Sequence, residues 1–440
     1  MIALDELCPP GATRSLQAMM LRWEQQQPVN AVHVAWLQKS FRPLDIKSAT
    51  TKAVRRLLSS NPARLSDQQS GIAELFEFRQ AEIAGDWRIN LQSAVTNELN
   101  TPFPPGSPPL RISVFDDRRL GQFLMLGYRH VIADARSITL LLHEIIHYLS
   151  SPVVESPCYA ATCSGESLDR LFPSEYRARR IPVVAWNLVT EFWKSLRCTR
   201  LPAHDRADLR MECRLHQSSL PLAALKDLGS QLGATFNDLI LAALLEWFAR
   251  EYPFQKSRGR ELAIATLVDL YGRAAILRPH AFGQFLTSFA VRVPATAQMP
   301  FEEIVRLVAR ETQSCKQVAP LLINARSFEF LAREWDLIPF TRRPEYLPAV
   351  LPLLAGISNV NLPGIIGQPE QSLGVRNYFR GTCVTNLLPM MLSITTVGDT
   401  CSLSTTHRSA VFTAAQMDDL AAHVGRRLFG EQIAQRRAAA

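Results

Sequence analysis

Between Tyr128 and Ser137, in the stretch YRHVIADARS, the hydrophobic pattern changes period, and that change restricts the architectures open to the chain. Before it, GQFLMLGYRH alternates. Leu124, Leu126, Tyr128 and His130 therefore share one face of a strand, while Phe123, Met125, Gly127 and Arg129 share the other. After it, Ile138, Leu141, Leu142, Ile145 and Leu149 recur at helical spacing. The chain turns from strand to amphipathic helix at about Ala133 to Arg136. His130 ends a largely apolar face and Asp134 follows it into the turn, at the kind of strand end where sites in layered α/β folds gather. On this stretch alone, a hydrogen-bonded core histidine is the commoner reading.

The rest of the chain alternates in the same way. The first half predicts strands at 29–37, 74–79 and 110–115 and helices at 45–58 and 91–100, with the Pro-rich loop TPFPPGSPP forbidding regular structure before Leu110. A helix over 137–150 follows, then a looser region holding one more at 183–196. In the second half a helix at 221–232 precedes Thr235 and Asp238, spaced as a capping box ahead of an almost wholly apolar helix. FEEIVRLVARETQSC reads as a helix with Glu302 and Glu303 where the dipole favours them. Two strands then join at Gly398 and Asp399, and a closing helix starts at Thr413. A chain of 440 residues exceeds one ordinary core, so two α/β domains are expected, 1–190 and 191–440, with the crossover near 185–205.

Composition narrows the function classes. A net charge of +8 is spread thinly, with only short basic pairs such as Arg179 with Arg180 and Arg342 with Arg343, which argues against nucleic acid. A mildly basic surface suits an acidic partner, such as a phosphate-bearing cofactor or an acidic carrier protein, although mere solubility explains it as well. The eight cysteines include no C-x-x-C, so reduced thiols in a cytoplasm are expected. MIALDELCPP lacks the basic start and apolar run of a secretory signal. The run 347–366 is broken by Pro348, Pro352, Ser358, Asn359, Asn361 and Pro363, so no membrane span is expected.

Several segments together resemble the condensation-domain and thioester-dependent acyltransferase superfamily, which has the fold of chloramphenicol acetyltransferase. Its H-H-x-x-x-D-G-x-S motif is matched by Arg129, His130, Asp134, Ala135 and Ser137, and its P-L-x-R segment by Pro109, Leu110 and Arg111. Asn61, Pro62, Ala63 and Arg64 resemble an earlier H-P-x-L-R segment. LVDLYGR ends at Gly272 and Arg273, and AFGQFLTSFAVRV matches V-G-x-F-V-N-T-L-x-x-R through Phe282, Gly283, Phe285, Leu286, Ser288, Phe289 and Arg292. Ser358 and Asn359 in ISNVNLPG resemble the S-N segment of the wax-synthase branch. Arg129 in place of the first His, Ala135 in place of Gly and Thr287 in place of Asn depart from the pattern, and D-F-G-W-G is absent from the sequence.

The resemblance implies two chloramphenicol acetyltransferase-like subdomains, each a mixed sheet with flanking helices, meeting in a V with a tunnel between them. His130 would be the general base for moving an acyl group from a thioester to a hydroxyl or amine, with no acyl-enzyme. Asp134 would hold the His loop by pairing with Arg273, Arg292 being the alternative partner. Ser137, Gly283, Thr287, Ser358 and Asn359 would contact substrate, with Ser358, Asn359 and the backbone amides after Asp134 as candidate oxyanion donors. Ala135 would narrow the passage beside the base. No tightly bound cofactor is implied. The co-substrate would be a phosphopantetheine thioester, on coenzyme A or on an acyl carrier protein, and the protein a monomer.

Two other classes compete. His143, Glu144 and His147 spell H-E-I-I-H on the helix after Asp134, the pattern of zinc peptidases. They fall on the polar side of the helix, where a solvated face explains them, and Glu155, Glu166 and Glu175 make poor third ligands. A non-catalytic homologue that binds a carrier protein is the other reading, favoured by Arg129 and Ala135.

Overall fold

The computed structural model describes residues 14–59, 76–83, 85–117, 119–150, 162–163, 171–172, 181–202, 205, 207–218, 222–252, 261–271, 273, 280–366, 374–398 and 400–429. Asn61 to Arg64, Glu155, Glu166, Glu175, Arg179, Arg180, Gly272 and Asp399 lie outside them. The first half runs α1 (Arg14–Trp23), β1 (Asn30–Leu37), α2 (Pro43–Ser59), β2 (Glu77–Glu82), α3 (Trp87–Asn100), β3 (Leu110–Asp117), β4 (Gly121–Arg129), α4 (Ala135–Ser150) and β5 (Thr162–Cys163). The second runs α5 (Ile181–Ser195), β6 (Met211–Ser218), α6 (Leu222–Leu232), α7 (Phe236–Glu251), β7 (Leu262–Asp269), β8 (Ala281–Phe282), β9 (Leu286–Val293), α8 (Phe301–Cys315), α9 (Val318–Trp335), α10 (Arg343–Val350), β10 (Ala355–Asn361), α11 (Leu362–Ile366), β11 (Val375–Thr382), β12 (Met390–Val397), β13 (Thr400–Arg408) and α12 (Ala414–Phe429).

Two mixed sheets carry the fold, ordered β11-β1-β4-β3-β2 and β6-β13-β12-β10-β7-β9. The alternation along β4 sorts its side chains as the sequence requires. Leu124, Leu126 and Tyr128 pack with α2 and α4 in one core, while Phe123 and Met125 join Leu91, Val95 and Leu99 of α3 and Met211, Cys213 and Leu215 of β6 in another. That second cluster ties the two sheets together. A separate core gathers around α7, whose Thr235 and Asp238 form the expected capping box. No single described helix is long and apolar enough to cross a membrane, and the apolar α7 is buried in its core.

The expected division at residue 190 is crossed twice among the described strands, by β8 pairing with β5 and by β11. β11, from the second half of the chain, pairs antiparallel with β1 and forms the edge of the first sheet. Its Arg380 is buried and reaches back to the second sheet, donating to Ser358 Oγ (3.0 Å) and O (2.7 Å), Thr395 Oγ1 (2.9 Å) and the carbonyl of Ile394 (2.7 Å). The two halves are therefore laced together by main chain as well as by packing.

Arg111, the last residue of the P-L-R segment, is a structural anchor. Its guanidinium is almost wholly buried against Glu98 of α3 (2.9 Å) and donates to the carbonyls of Thr101 (3.1 Å) and Pro102 (2.7 Å), which pins the start of the Pro-rich loop. The Glu98 side chain fills the space left by Gly127 on β4, where a Cβ would come within 2.4 Å of its carboxylate. Glycine is needed there for that close approach.

Candidate active site

His130 follows directly on β4 and its backbone amide donates to Val29 (2.8 Å). Its ring is buried, with Nδ1 3.1 Å from the carbonyl of Ala133. The amide Nε2 of Gln284 donates to the carbonyls of His130 and Ala133, the latter at 2.8 Å, and lies 3.3 Å from Nδ1. Both amide hydrogens of Gln284 are spent on those carbonyls, so Nδ1 is the donor to Ala133 and carries the ring proton. Nε2 is left with its lone pair and no hydrogen-bond partner among the described residues. Burial is the largest influence on this imidazole and holds its pKa below the usual 6.5, against the pull of the backbone hydrogen bonds and helped by the nearby Arg380 charge. A neutral histidine with a bare Nε2 is the form a general base requires.

The ring borders a cavity of about 360 Å³, within the range of small-molecule sites. One wall is β9. Its odd residues Thr287, Phe289, Val291 and Val293 are buried, while Leu286, Ser288, Ala290 and Arg292 are half-buried and face the cavity. The six steps from Leu286 to Arg292, at about 3.3 Å each, make this wall roughly 20 Å long. Most of the lining is apolar, supplied by side chains such as Met20, Leu267, Phe328, Leu331 and Met391. The end at Arg292 is charged, with Glu191 of α5 bridging Arg292 (2.5 Å) and Lys194 (3.1 Å). Filling the middle of this space should block an extended substrate. Ala290→Trp is expected to raise the KM for thioester or acceptor roughly tenfold with little change in melting temperature, since the new ring occupies existing void. Unchanged steady-state kinetics would place the substrate elsewhere.

Asp134 is wholly buried but pairs with no arginine among the described residues, which corrects the expectation that Arg273 or Arg292 holds it. Oδ1 accepts from the amide of Ser137 (2.8 Å) at the start of α4, and Oδ2 from the amide of Phe285 (3.0 Å). Arg273 instead donates to the carbonyl of Lys316 (2.7 Å), and Arg292 is taken by Glu191. Backbone amides, two of them with the helix dipole behind one, do the work expected of a guanidinium. Burial, the largest influence, still pushes the Asp134 carboxyl up from 3.8 to about 6. A raised carboxyl pKa means the folded state favours the protonated form. Its contribution to stability is therefore fully present below pH 3.8 and is lost, to the extent of about 3 kcal/mol, as pH rises through 6. Asp134→Asn lacks that loss, so its stability relative to wild type should improve by up to about 3 kcal/mol between pH 4 and pH 6 in urea melts. Parallel pH profiles for the two proteins would contradict the assignment.

The other expected substrate contacts are mostly structural. Ser137 Oγ donates to the carbonyl of Gly283 (3.0 Å) and accepts from its amide (3.1 Å), while the amide of Asp134 donates to the same carbonyl (2.9 Å). Ser137, Gly283, Gln284 and Phe285 thus clasp the His loop to the segment before β9. Thr287 Oγ1 donates to Leu321 (3.1 Å), Ser358 is held by Arg380, and Asn359 donates to Asn237 (2.8 Å). None of these five expected contacts lines the cavity, and of the amides after Asp134 those of Ser137 and Ile138 are both occupied by Asp134. Ala135 packs its methyl into the α2/α4 core instead of narrowing the passage, and Arg129 pairs with Glu24. Gln284 carries no signal in the sequence, because the F-G-x-F pattern leaves its position free. The cavity-facing residues of β9 carry a signal that could have found them, the alternation of Leu286, Ser288, Ala290 and Arg292 with larger apolar residues.

The H-E-I-I-H helix differs from its expected solvated face. His143 and Glu144 are buried, Arg56 of α2 lies 3.4 Å from Glu144, and burial, with His147 and His280 nearby, brings the His143 pKa down to about 4. The polar side of α4 is covered by α2. No group of three metal-ligating side chains occurs among the described residues.

No family model and no curated protein matches the sequence. Solved structures do. The first condensation domain of the calcium-dependent antibiotic synthetase superimposes with a TM-score of 0.65 at 13% identity, covering 95% of both chains. The condensation-domain fold is the fold of this chain. Trichothecene 15-O-acetyltransferase from Fusarium sporotrichioides shares it with a TM-score of 0.62 at 12% identity over 94% of each chain. A cyclization-docking bidomain from Sorangium cellulosum does so with a TM-score of 0.63 at 13% identity, covering 98% of this chain and 88% of the other. In this chain's version of the condensation fold, His130 sits where the two sheets are laced together and borders the apolar cavity.

Proposed function

We propose that the protein transfers an acyl group from a thioester to a hydroxyl or amine, with His130 as general base and without an acyl-enzyme. The observation that carries this reading is the bare Nε2 of a neutral, buried imidazole beside a long apolar cavity. The acceptor's O–H or N–H gives its proton to Nε2 as its heteroatom attacks the thioester carbonyl. Collapse of the tetrahedral adduct breaks the C–S bond, and the imidazolium returns the proton to the departing thiolate, so the ring ends as it began. Asp134, Ser137 and Gln284 act on the reaction only through the loop they hold.

A direct transfer is also supported by the two thiols that line the cavity among the described residues. Burial raises the pKa of Cys315 and pushes that of Cys383 up to about 12, which leaves little thiolate to attack a thioester. The donor would be a phosphopantetheine thioester, on a carrier protein or on coenzyme A, with a small alcohol or amine as acceptor and no resident cofactor. A panel of acyl thioesters and nucleophiles, read by release of free thiol, tests the reading. Thiol release that depends on the acceptor is expected, and thiol release no faster than spontaneous hydrolysis across the panel would refute it.

A further inference from the structure

The cavity beside His130 has small side chains along one wall. β7 and β9 pair antiparallel, and their register sets Ala265 opposite Ala290 and Leu267 opposite Ser288, all four of them in the lining. Nothing beyond Cβ rises from the alanine pair, so the two strands leave a trough there, ending at the next lining residue, Arg292. Phe328 and Leu331 of α9 and Met20 of α1 line the same space. Apart from the neutral His130, the lining carries charge in one place among the described residues. This is the Arg292 end, where Glu191 binds Arg292 and Lys194, and where Glu311 feels both cations.

Several polar groups of the lining are turned on the protein itself. Asn187 donates to Ser327 (3.2 Å), Ser327 donates to the carbonyl of Ile323 (3.0 Å), and Thr385 accepts from the amide of Leu388 (3.2 Å). A segment rich in amides, such as a peptide or the pantetheine arm, would leave its own polar groups unpaired in such a space, at a cost. A hydrocarbon chain leaves none unpaired and gains about fourfold in binding for each methylene it buries. We infer that the trough holds the acyl group of the donor, as an extended alkyl chain of medium length running along β9 from His130 toward Arg292. The inference rests on the acyl-transfer reading and adds the class of acyl group. Gln284, just before β9, touches His130, so the strand starts at the reacting end. The four steps from Leu286 to Ala290 cover about 13 Å. An alkyl chain with bonds near 1.5 Å advances about 1.25 Å per carbon, so roughly ten carbons reach Ala290 and roughly sixteen reach Arg292. A longer chain must press its end against the Arg292–Glu191 ion pair and strip water from it. Ala290 and that ion pair are therefore the residues that set chain length.

The test is kcat/KM of the full-length protein for saturated acyl pantetheines from acetyl to octadecanoyl, below their micelle-forming concentrations and with the best acceptor of the panel. Binding of the matching S-alkyl pantetheines, which carry no carbonyl to transfer, is measured alongside. A rise of about tenfold or more from butyryl to decanoyl is expected, then a fall between hexadecanoyl and octadecanoyl, with S-alkyl affinity following the same order. Ala290→Trp should lower the ratio of decanoyl to butyryl kcat/KM by roughly tenfold. Arg292→Leu combined with Glu191→Leu should move the limit to longer chains. Should either variant fail to fold, the two wild-type series decide. The inference is overturned if kcat/KM is flat or falls with acyl length, if a glycylglycyl thioester outperforms an alkyl thioester of equal length, or if length matters in the acceptor and not in the acyl group. S-alkyl affinity that climbs with length while no thioester turns over would refute acyl transfer and leave the alkyl site standing. Turnover indifferent to acyl length would do the reverse.

Discussion

His130→Ala should lower kcat/KM for acceptor-dependent thioester cleavage by about 100-fold to 10,000-fold, the usual worth of a positioned general base. The substitution removes the only imidazole among the described residues that line the cavity, and it does so without opening the loop that carries it, because the clasp runs through main chain and through Ser137 and Gln284. Melting behaviour should therefore change far less than rate. The wild-type pH profile carries the same signature. Burial keeps the imidazole neutral to below pH 6.5, so kcat/KM should hold level from neutrality downward and break only on the acid side of 6.5. A break well above that value would assign the titration to a different group.

Arg111→Ala is expected to destabilise the fold by about 3 to 5 kcal/mol, as breaking one side of a buried ion pair does. The variant strands the Glu98 carboxylate, which burial already pushes up in pKa and which Arg111 chiefly holds down. It also frees the carbonyls of Thr101 and Pro102 and removes the guanidinium that lies 3.7 Å from the Phe103 ring. Arg79 approaches Glu98 to 3.7 Å from a half-exposed position and recovers only part of the loss. Replacing both partners, as in Arg111→Met with Glu98→Met, should restore much of the stability, because the cost lies in the unpaired charge more than in the absent bond. Chemical denaturation of the three variants separates these outcomes. A single Arg111→Ala variant as stable as wild type would show that the pair is not the anchor described.

The parts of this architecture that could be read from sequence are those whose cause is local. Alternation along β4 fixed which side chains face α4 and which face α3, and Thr235 with Asp238 announced the start of α7. What escaped depends on partners far away in the chain. The arginine partner of Asp134 comes from the resemblance alone; the amide of Phe285, which takes that place, is invisible in the sequence until the fold brings it close. Ser358 is a substrate contact only through its match to the S-N segment; its partner in the fold, Arg380, lies on a strand that is buried almost throughout and shows no alternation. The polar side of α4 looked solvated because nothing local reveals that α2 covers it. The outward face of α5 is the converse case, apolar in sequence as a buried helix would be and yet exposed.

The central claim is that acyl transfer passes directly through the His130 cavity, and intact-protein mass spectrometry during turnover addresses it most directly. Rapidly quenched wild-type protein, mixed with acyl thioester and acceptor, should keep its unmodified mass while free thiol and acylated acceptor accumulate in equal amounts. A protein population heavier by one acyl group, formed from thioester alone and discharged on adding acceptor, would contradict it.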